Sequence, residues 1–234
     1  MKAQKVTIIL SAALAVVVIF AVYLLINFQS QAAQYQTQIQ TLNSQISAAN
    51  LNINGKADIF DAKLHDLLQE HTFLLINTIR RSLDSSASYS ASLIALQNNI
   101  NEVGALLTPI YGSNASQLVN LWNTKTNIFI NYSNAIKNND PSANSTFASA
   151  AAAYTNSVGM FWASTNNPYP IFDQTTMQQI STNNMNNVKT AVDYWNGKDY
   201  TDYFTALETA YIAMGQYADT IAQGIIQQHP EDFQ

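Results

Sequence analysis

The sequence predicts an all-α protein: an N-terminal transmembrane helix extended by a helical stalk, then an antiparallel up-and-down helical bundle. Three observations carry this expectation. Residues 6–27 form an unbroken apolar run without a charge, and about 20 such residues in a helix span the roughly 30 Å of bilayer hydrocarbon. Further on, apolar residues recur at alternating spacings of three and four, the period of one helical face, with no convincing strand. Asn-Gly, Asp-Pro and Pro-Tyr-Pro breaks punctuate those stretches and leave short connections between helices.

Taken in order, Lys2 and Lys5 precede the apolar run and no Lys or Arg follows it until Lys56. Cationic flanks stay on the cytoplasmic side. Residues 1–5 are therefore expected inside the cell, 6–27 in the bilayer and the remainder outside, a single-pass arrangement in the cell membrane. The alternative is a cleaved signal peptide, whose apolar core is usually roughly 7 to 15 residues. This run is longer, although Ala32-Ala33 after Ser30 offers a small-residue cleavage site.

Residues 28–56 are rich in Gln, Ala, Ser and Asn and carry Tyr35, Ile39, Leu42, Ile46, Ala49 and Ile53. That spacing is a heptad seam continuing outward, readable as an oligomerising coiled-coil stalk or as a helical spacer. Asn54-Gly55 breaks it.

Residues 57–234 read as the bundle, with helices over 58–83, 88–107, 113–138, 141–163, 173–195 and 199–228. Asp58, Ser113, Asp140 followed by Pro141, and Asp173 suit helix N-termini, where a side-chain oxygen satisfies free amides. Asn196-Gly197 suits a left-handed helix stop. Asn166 to Pro170 must be a non-helical loop. The first helix carries Phe60, Leu64, Leu67, His71, Leu74 and Thr78 on one face. The third carries Ala115, Leu118, Trp122, Lys125, Phe129, Tyr132 and Ile136, and the last Tyr200, Phe204, Leu207, Tyr211, Met214, Ala218, Ile221 and Ile225. Each stripe is expected to be buried, and its aromatics read as core rather than as a cofactor box.

Composition narrows the function classes. With no cysteine, stability must come from packing, and thiolate metal sites and cysteine nucleophiles are excluded. The chain has 26 Asn and 19 Gln against 10 Lys+Arg and 15 Asp+Glu, so its surface is polar but nearly uncharged. Amides do not titrate, so such a surface keeps its hydration as pH changes, as an acidic or harsh exterior of the kind some archaea inhabit would require. Net charge of −5 and only two arginines, Arg80 and Arg81, argue against nucleic acid as a partner.

No catalytic motif is present: there is no phosphate loop, no zinc-protease pair and no nucleophile elbow. Neither a cofactor nor a catalytic residue is assigned. The polar residues that stand out are those on apolar stripes. His71 and Lys125 lie mid-helix on theirs, as do Asn183 or Asn184 in the fifth helix and Tyr211 in the sixth. If antiparallel helices of matched length place their midpoints at one level, His71, Lys125, Asn183 and Tyr211 meet as a polar layer. Glu70 and Glu102 are the carboxylates available to compensate it and, with His71, the weak candidates for a metal. Buried Lys and His are costly unless paired, which favours a network. The competing reading is that Lys125 snorkels out along its stem while His71 is an ordinary core histidine. His65 and His229 read as solvated. Asn114, Asn131 and Asn144 sit in Asn-x-Ser/Thr sequons, with Asn114 and Asn144 expected to be accessible and Asn131, mid-helix, less so.

Three segments carry a resemblance: LLQEHTFLLINTIRRSL, LQNNINEVGALLTPIYGSNASQLVNLW and YADTIAQGIIQQHPEDF. Together they resemble a largely uncharacterised family of exported or membrane-anchored bacterial and archaeal helical-bundle proteins. The likeness spans about Leu64 to Phe233 and rests on Glu70-His71, Asn98 to Gly104, Tyr111-Gly112 and Ala218 to Ile225. It implies inward-facing histidines on several helices, suited to a metal. Here His71 remains, while Lys125, Asn183 and Tyr211 stand where the others fall. A lysine ammonium is no ligand, so the resemblance implies a layer that persists without its metal.

The expected function is that of a structural or interaction module held to the lipid bilayer by residues 6–27. Stalk and bundle would engage a protein partner or a second copy, as in an accessory subunit of a membrane or cell-surface complex. The alternative is a ligand- or metal-binding bundle, a sensor or carrier, with its site in the polar layer.

Overall fold

The computed structural model describes residues 55–163 and 172–233. The expected membrane helix, the stalk as far as Asn54 and the Pro168/Pro170 loop lie outside the described residues. Among those described, no helix is long and apolar enough to cross a membrane. The helices are α1 Lys56–Leu83, α2 Tyr89–Tyr111, α3 Ala115–Lys137, α4 Ala143–Trp162, α5 Gln174–Asn196 and α6 Tyr200–Gln228, with short 3-10 turns at Gly112–Asn114 and Pro230–Phe233. The protein is all-α, with no strand among the described residues.

Consecutive helices pack side by side, and α1 also packs against α6, α3 and α5. It is the hub of the bundle. Phe60, Leu64, Leu68, His71, Leu75 and Ile79 run buried along it, a face of spacing three and four that an amphipathic helix presents to its neighbours. α1 and α6 run in opposite directions, because His65 meets Asp219, Gln69 reaches the Tyr211 carbonyl, and Arg80 lies beside Tyr203. The expected stripes of α1 and α3 are the buried ones, with Leu74 and Ile136 half-buried at their edges.

The stripe expected on α6 is only half right. From Met214 onward Met214, Ala218, Ile221 and Ile225 are buried, but in the first half Tyr203, Ala206 and Ala210 take the inward positions. Tyr200, Phe204 and Tyr211 face solvent. Tyr200 and Tyr203 both pack on Trp195 at the end of α5, at 5.0 and 4.9 Å, and Tyr203, turned inward, also meets Arg80 of α1. The two alanines then allow close approach on the same face.

Helix ends follow local chemistry. Asp173 accepts from the Thr176 amide at 2.9 Å and Asp199 from the Asp202 amide at 3.1 Å, satisfying N-terminal donors that a helix leaves free. Ser113 and Asp58 do not cap. Ser113 lies in the 3-10 turn, and α1 already begins at Lys56. Pro109 does not stop α2, which runs on to Tyr111. Three helices close alike, with Ser85, Asn139 and Lys198 at positive φ and backbone bonds from Ser86 to Arg81, Asp140 to Ala135 and Asp199 to Tyr194, each 2.9 Å. This is the six-to-one closure of a helix C-terminus. Contrary to expectation Gly197 does not take the left-handed position: its φ is −74° and Lys198 carries the turn instead.

Gly224 on α6 has a packing role. A Cβ there would lie 2.2 Å from Cζ of Phe172, whose buried ring packs 5.0 Å from that of Trp162. Gly224→Ala should therefore push the Phe172 ring away and destabilise the fold by about 1–3 kcal/mol. Thermal melting will show this as a lowered Tm, and an unchanged Tm would mean that the ring moves freely.

Candidate functional site

His71 on α1 and Lys125 on α3 are sealed in the core, at 0% and 1% exposure. The α1 stripe carries His71 inward between Leu67 and Leu75. The α3 stripe does the same for Lys125 between Trp122 and Phe129. Lys125 does not snorkel: its Nζ donates to Oδ1 of Asn184 on α5 at 2.5 Å. Asn184 in turn points its amide nitrogen at the Met214 sulfur on α6, 3.9 Å away. The His71 ring packs against Trp122, centroids 5.9 Å apart.

The layer thus exists in altered membership. Asn184 rather than Asn183 is the α5 member, since Asn183 is exposed and accepts from Gln179. One residue is about 100° of helix, enough to move a side chain from core to surface. Tyr211 is not a member either, at 39% exposed, because α6 is rotated by the packing of Tyr203. Asn99 on α2, buried at 3%, was not singled out among the polar core residues. It donates to the Leu67 carbonyl at 3.0 Å and to Glu70 Oε2 at 3.1 Å. The repeated asparagines of the Asn98 to Gly104 stretch were its only signal. Glu70 and Glu102 are exposed, and neither pairs with Lys125. The metal candidates His71, Glu70 and Glu102 do not gather.

Burial governs the electrostatics. Desolvation pulls the Lys125 amine down to about 7. The His71 imidazole falls to about 3, first through desolvation and then through repulsion by Lys125, with Asn99 opposing both by favouring the protonated ring. Neither ring nitrogen reaches hydrogen-bonding geometry with a described residue. At neutral pH His71 is therefore a neutral ring, and Lys125 is a poised amine whose donor role toward Asn184 survives in either protonation state. Chemically the arrangement is a hydrogen-bonded cross-brace, with the amine enclosed.

The other two histidines are not simply solvated. His65 Nδ1 lies 2.5 Å from Asp219 Oδ1, and its ring edge fills the space above Gly215. Nearby Asp61 is raised by desolvation and by Asp219, with His65 lowering it. His229 packs edge-on to Tyr111 at 5.7 Å, its Nδ1 3.7 Å from Glu231 Oε1. Together with Asp232 these form a surface group whose ligand-type atoms lie within 4.8 Å of one another. Of the sequons, Asn131 and Asn144 are exposed whereas Asn114 is half-buried at the start of α3, and Asn144 accepts from Tyr132 at 3.2 Å. Position in mid-helix thus did not hide Asn131, which lies on the solvent side of α3.

What fold and core define is an all-α bundle braced by a sealed lysine–asparagine bond. Comparison with protein-family models, with curated proteins and with solved structures finds no match for the chain.

Because Lys125 holds its proton only to about 7 when folded and to 10.5 ordinarily, the unfolded chain carries the extra proton between those values. Stability must therefore rise with pH across that window. Urea titration of the detergent-solubilised chain from about pH 8 to 9.5, below the tyrosine range, should show a slope near 1.4 kcal/mol per unit. Lys125→Met should flatten the slope while leaving Asn184 Oδ1 unpaired, at a cost of about 1–3 kcal/mol. Lys125→Met combined with Asn184→Leu should recover that loss, since an apolar pair of similar size is often no worse than a buried polar one. A wild-type slope of zero would mean that the amine is solvated.

Proposed function

We propose that this protein is a membrane-anchored helical bundle on the outer side of the cell membrane that works as a structural or interaction module, for example as an accessory subunit of a membrane or surface complex. Residues 6–27 would hold it in the bilayer with the N-terminus inside, and residues 28–56 would serve as its stalk. One observation supports the interaction reading above all: the first half of α6 turns Phe204, at 61% exposure, and Ile212, at 50%, to solvent while burying Tyr203, Ala206 and Ala210. Large apolar side chains gathered on one surface mark contact sites. The reading as a ligand-binding bundle needs access to the polar layer, and the enclosure of His71 and Lys125 supplies no support for it. The implied kinship with exported bundle proteins of bacteria and archaea agrees with this role and remains part of the proposal.

Gentle detergent extraction from the native membrane, followed by sizing and mass analysis, should yield the chain with a protein partner in fixed stoichiometry. An isolated monomer would overturn the module reading. For topology, protease added to intact cells should degrade the bundle, and a protected C-terminus would reverse the orientation.

A further inference from the structure

The first half of α6 is amphipathic in the wrong direction for folding alone. Its inward side carries Tyr203, Ala206 and Ala210, whereas Tyr200, Phe204 and Tyr211 are exposed on the outward side, with Leu207 half-buried at its edge. Burying the larger set would remove more apolar surface from water. Phe73, at 46% exposure, extends this stripe onto α1. It lies one turn beyond Gln69, whose amide reaches the Tyr211 carbonyl at 3.5 Å. From Tyr200 to Ile212 the stripe is about 18 Å long, some three turns of helix.

The charges nearest the Tyr211 end of the stripe are acidic, whereas Lys198 and Arg80 lie toward the Tyr200 end. α6 contains no Lys or Arg, α2 contains none, and α1 has none from Leu64 to Ile79. Asp66 and Glu70 lie close enough to Tyr211 to disfavour its ionisation, behind the larger effect of desolvation. Glu208 is exposed on α6 beside the stripe. Of the two cations at the Tyr200 end, Arg80 stacks on Trp195 at 4.8 Å. A second copy docked in the same direction would bring carboxylates against carboxylates, and an anionic bilayer surface would be repelled by the same groups.

We propose that the Tyr200–Ile212 face of α6, together with Phe73, is the docking surface for a basic amphipathic helix of another protein, whose apolar side covers the stripe and whose Lys and Arg meet Asp66, Glu70 and Glu208. This assignment rests on the interaction reading above and supplies its partner chemistry. The mode is helix-in-groove recognition, in which anchors at spacings of three and four give the contact and flanking charges set orientation and partner choice.

The test uses the full chain in neutral detergent and a synthetic Leu/Lys amphipathic peptide of about 14 residues, about 21 Å as a helix. A Leu/Glu peptide with the same apolar face serves as the control. The Leu/Lys peptide should bind saturably, more tightly at low salt, and at least about tenfold better than the control. Phe204→Ser with Tyr211→Ser should weaken binding by about tenfold or more. Asp66→Lys with Glu208→Lys should invert the preference between the two peptides. These positions are exposed, so an unchanged Tm serves as the folding check.

Equal binding of both peptides, or binding indifferent to the variants, would overturn the assignment. Self-association by sedimentation, or binding to anionic vesicles, that is lost in the Phe204/Tyr211 variant would equally overturn it in favour of a second copy or of lipid. The two readings fail separately. A native partner still retained by the Phe204/Tyr211 variant removes this surface but leaves the module, whereas the absence of any native partner removes the module itself.

Discussion

The bond from Lys125 to Asn184 ties α3 to α5, two helices that meet at few other points, among them the bond that Tyr132 donates to Asp193 Oδ1 at 2.6 Å. A lysine amine without water must find an acceptor, and Asn184 is the partner it reaches. That requirement sets the level of α3 against α5, and with it how α1 packs on both. The apolar stripes alone would tolerate several sliding registers, since one turn of Leu and Ile resembles the next. A buried polar pair does not. Removing one partner is costly while replacing both is not, so the pair contributes selectivity of register more than stability.

The cysteine-free, charge-poor composition leaves packing to hold the fold, with α1 as its hub. Ionisation then works against the surface chemistry. Amides keep the exterior indifferent to pH, but His71 held neutral to about 3 and Lys125 to about 7 make the interior prefer alkaline conditions. Acidification through either window favours the unfolded chain, which takes up the proton more readily. A polar, amide-rich skin therefore does not by itself confer acid resistance. The core sets that limit.

Much of the architecture was legible because each helix announces itself locally. The spacing of Phe60, Leu64, Leu67 and His71, and of Leu118, Trp122, Lys125 and Phe129, identified the buried faces of α1 and α3, and Asp173 identified the start of α5. Failures occurred where tertiary contact decided. Tyr203 and Tyr200 are equally apolar on α6 and both rings pack on Trp195, and the inward place of the former depends on neighbours such as Arg80 of α1. Asn183 and Asn184 are chemically identical, so only the position of the Lys125 amine tells them apart. Gly197 looked like the left-handed residue by composition, yet its amide still bonds Asp193 as the helix ends, which passes the turn to Lys198. Asn99 and the pair His65 and Asp219 required knowledge of which helix faces which. Sequence spacing does not contain that.

The three six-to-one turns, after α1, α3 and α5, lie at the same end of the bundle, because alternate helices return to it. Lys137 joins two of them by reaching the Ser82 carbonyl and Ser85, and Trp195 Nε1 ties the third by bonding Asp84. The opposite end carries the entry to α1 and the C-terminal turn, where Phe60 meets Phe233. A pull applied at Gly55 along the axis of α1 would therefore load that helix from the end without those ties, against the helices that pack on it. Contacts along a rod drawn in that direction slip together instead of peeling in sequence, so a load along α1 is shared over the whole length of the helix.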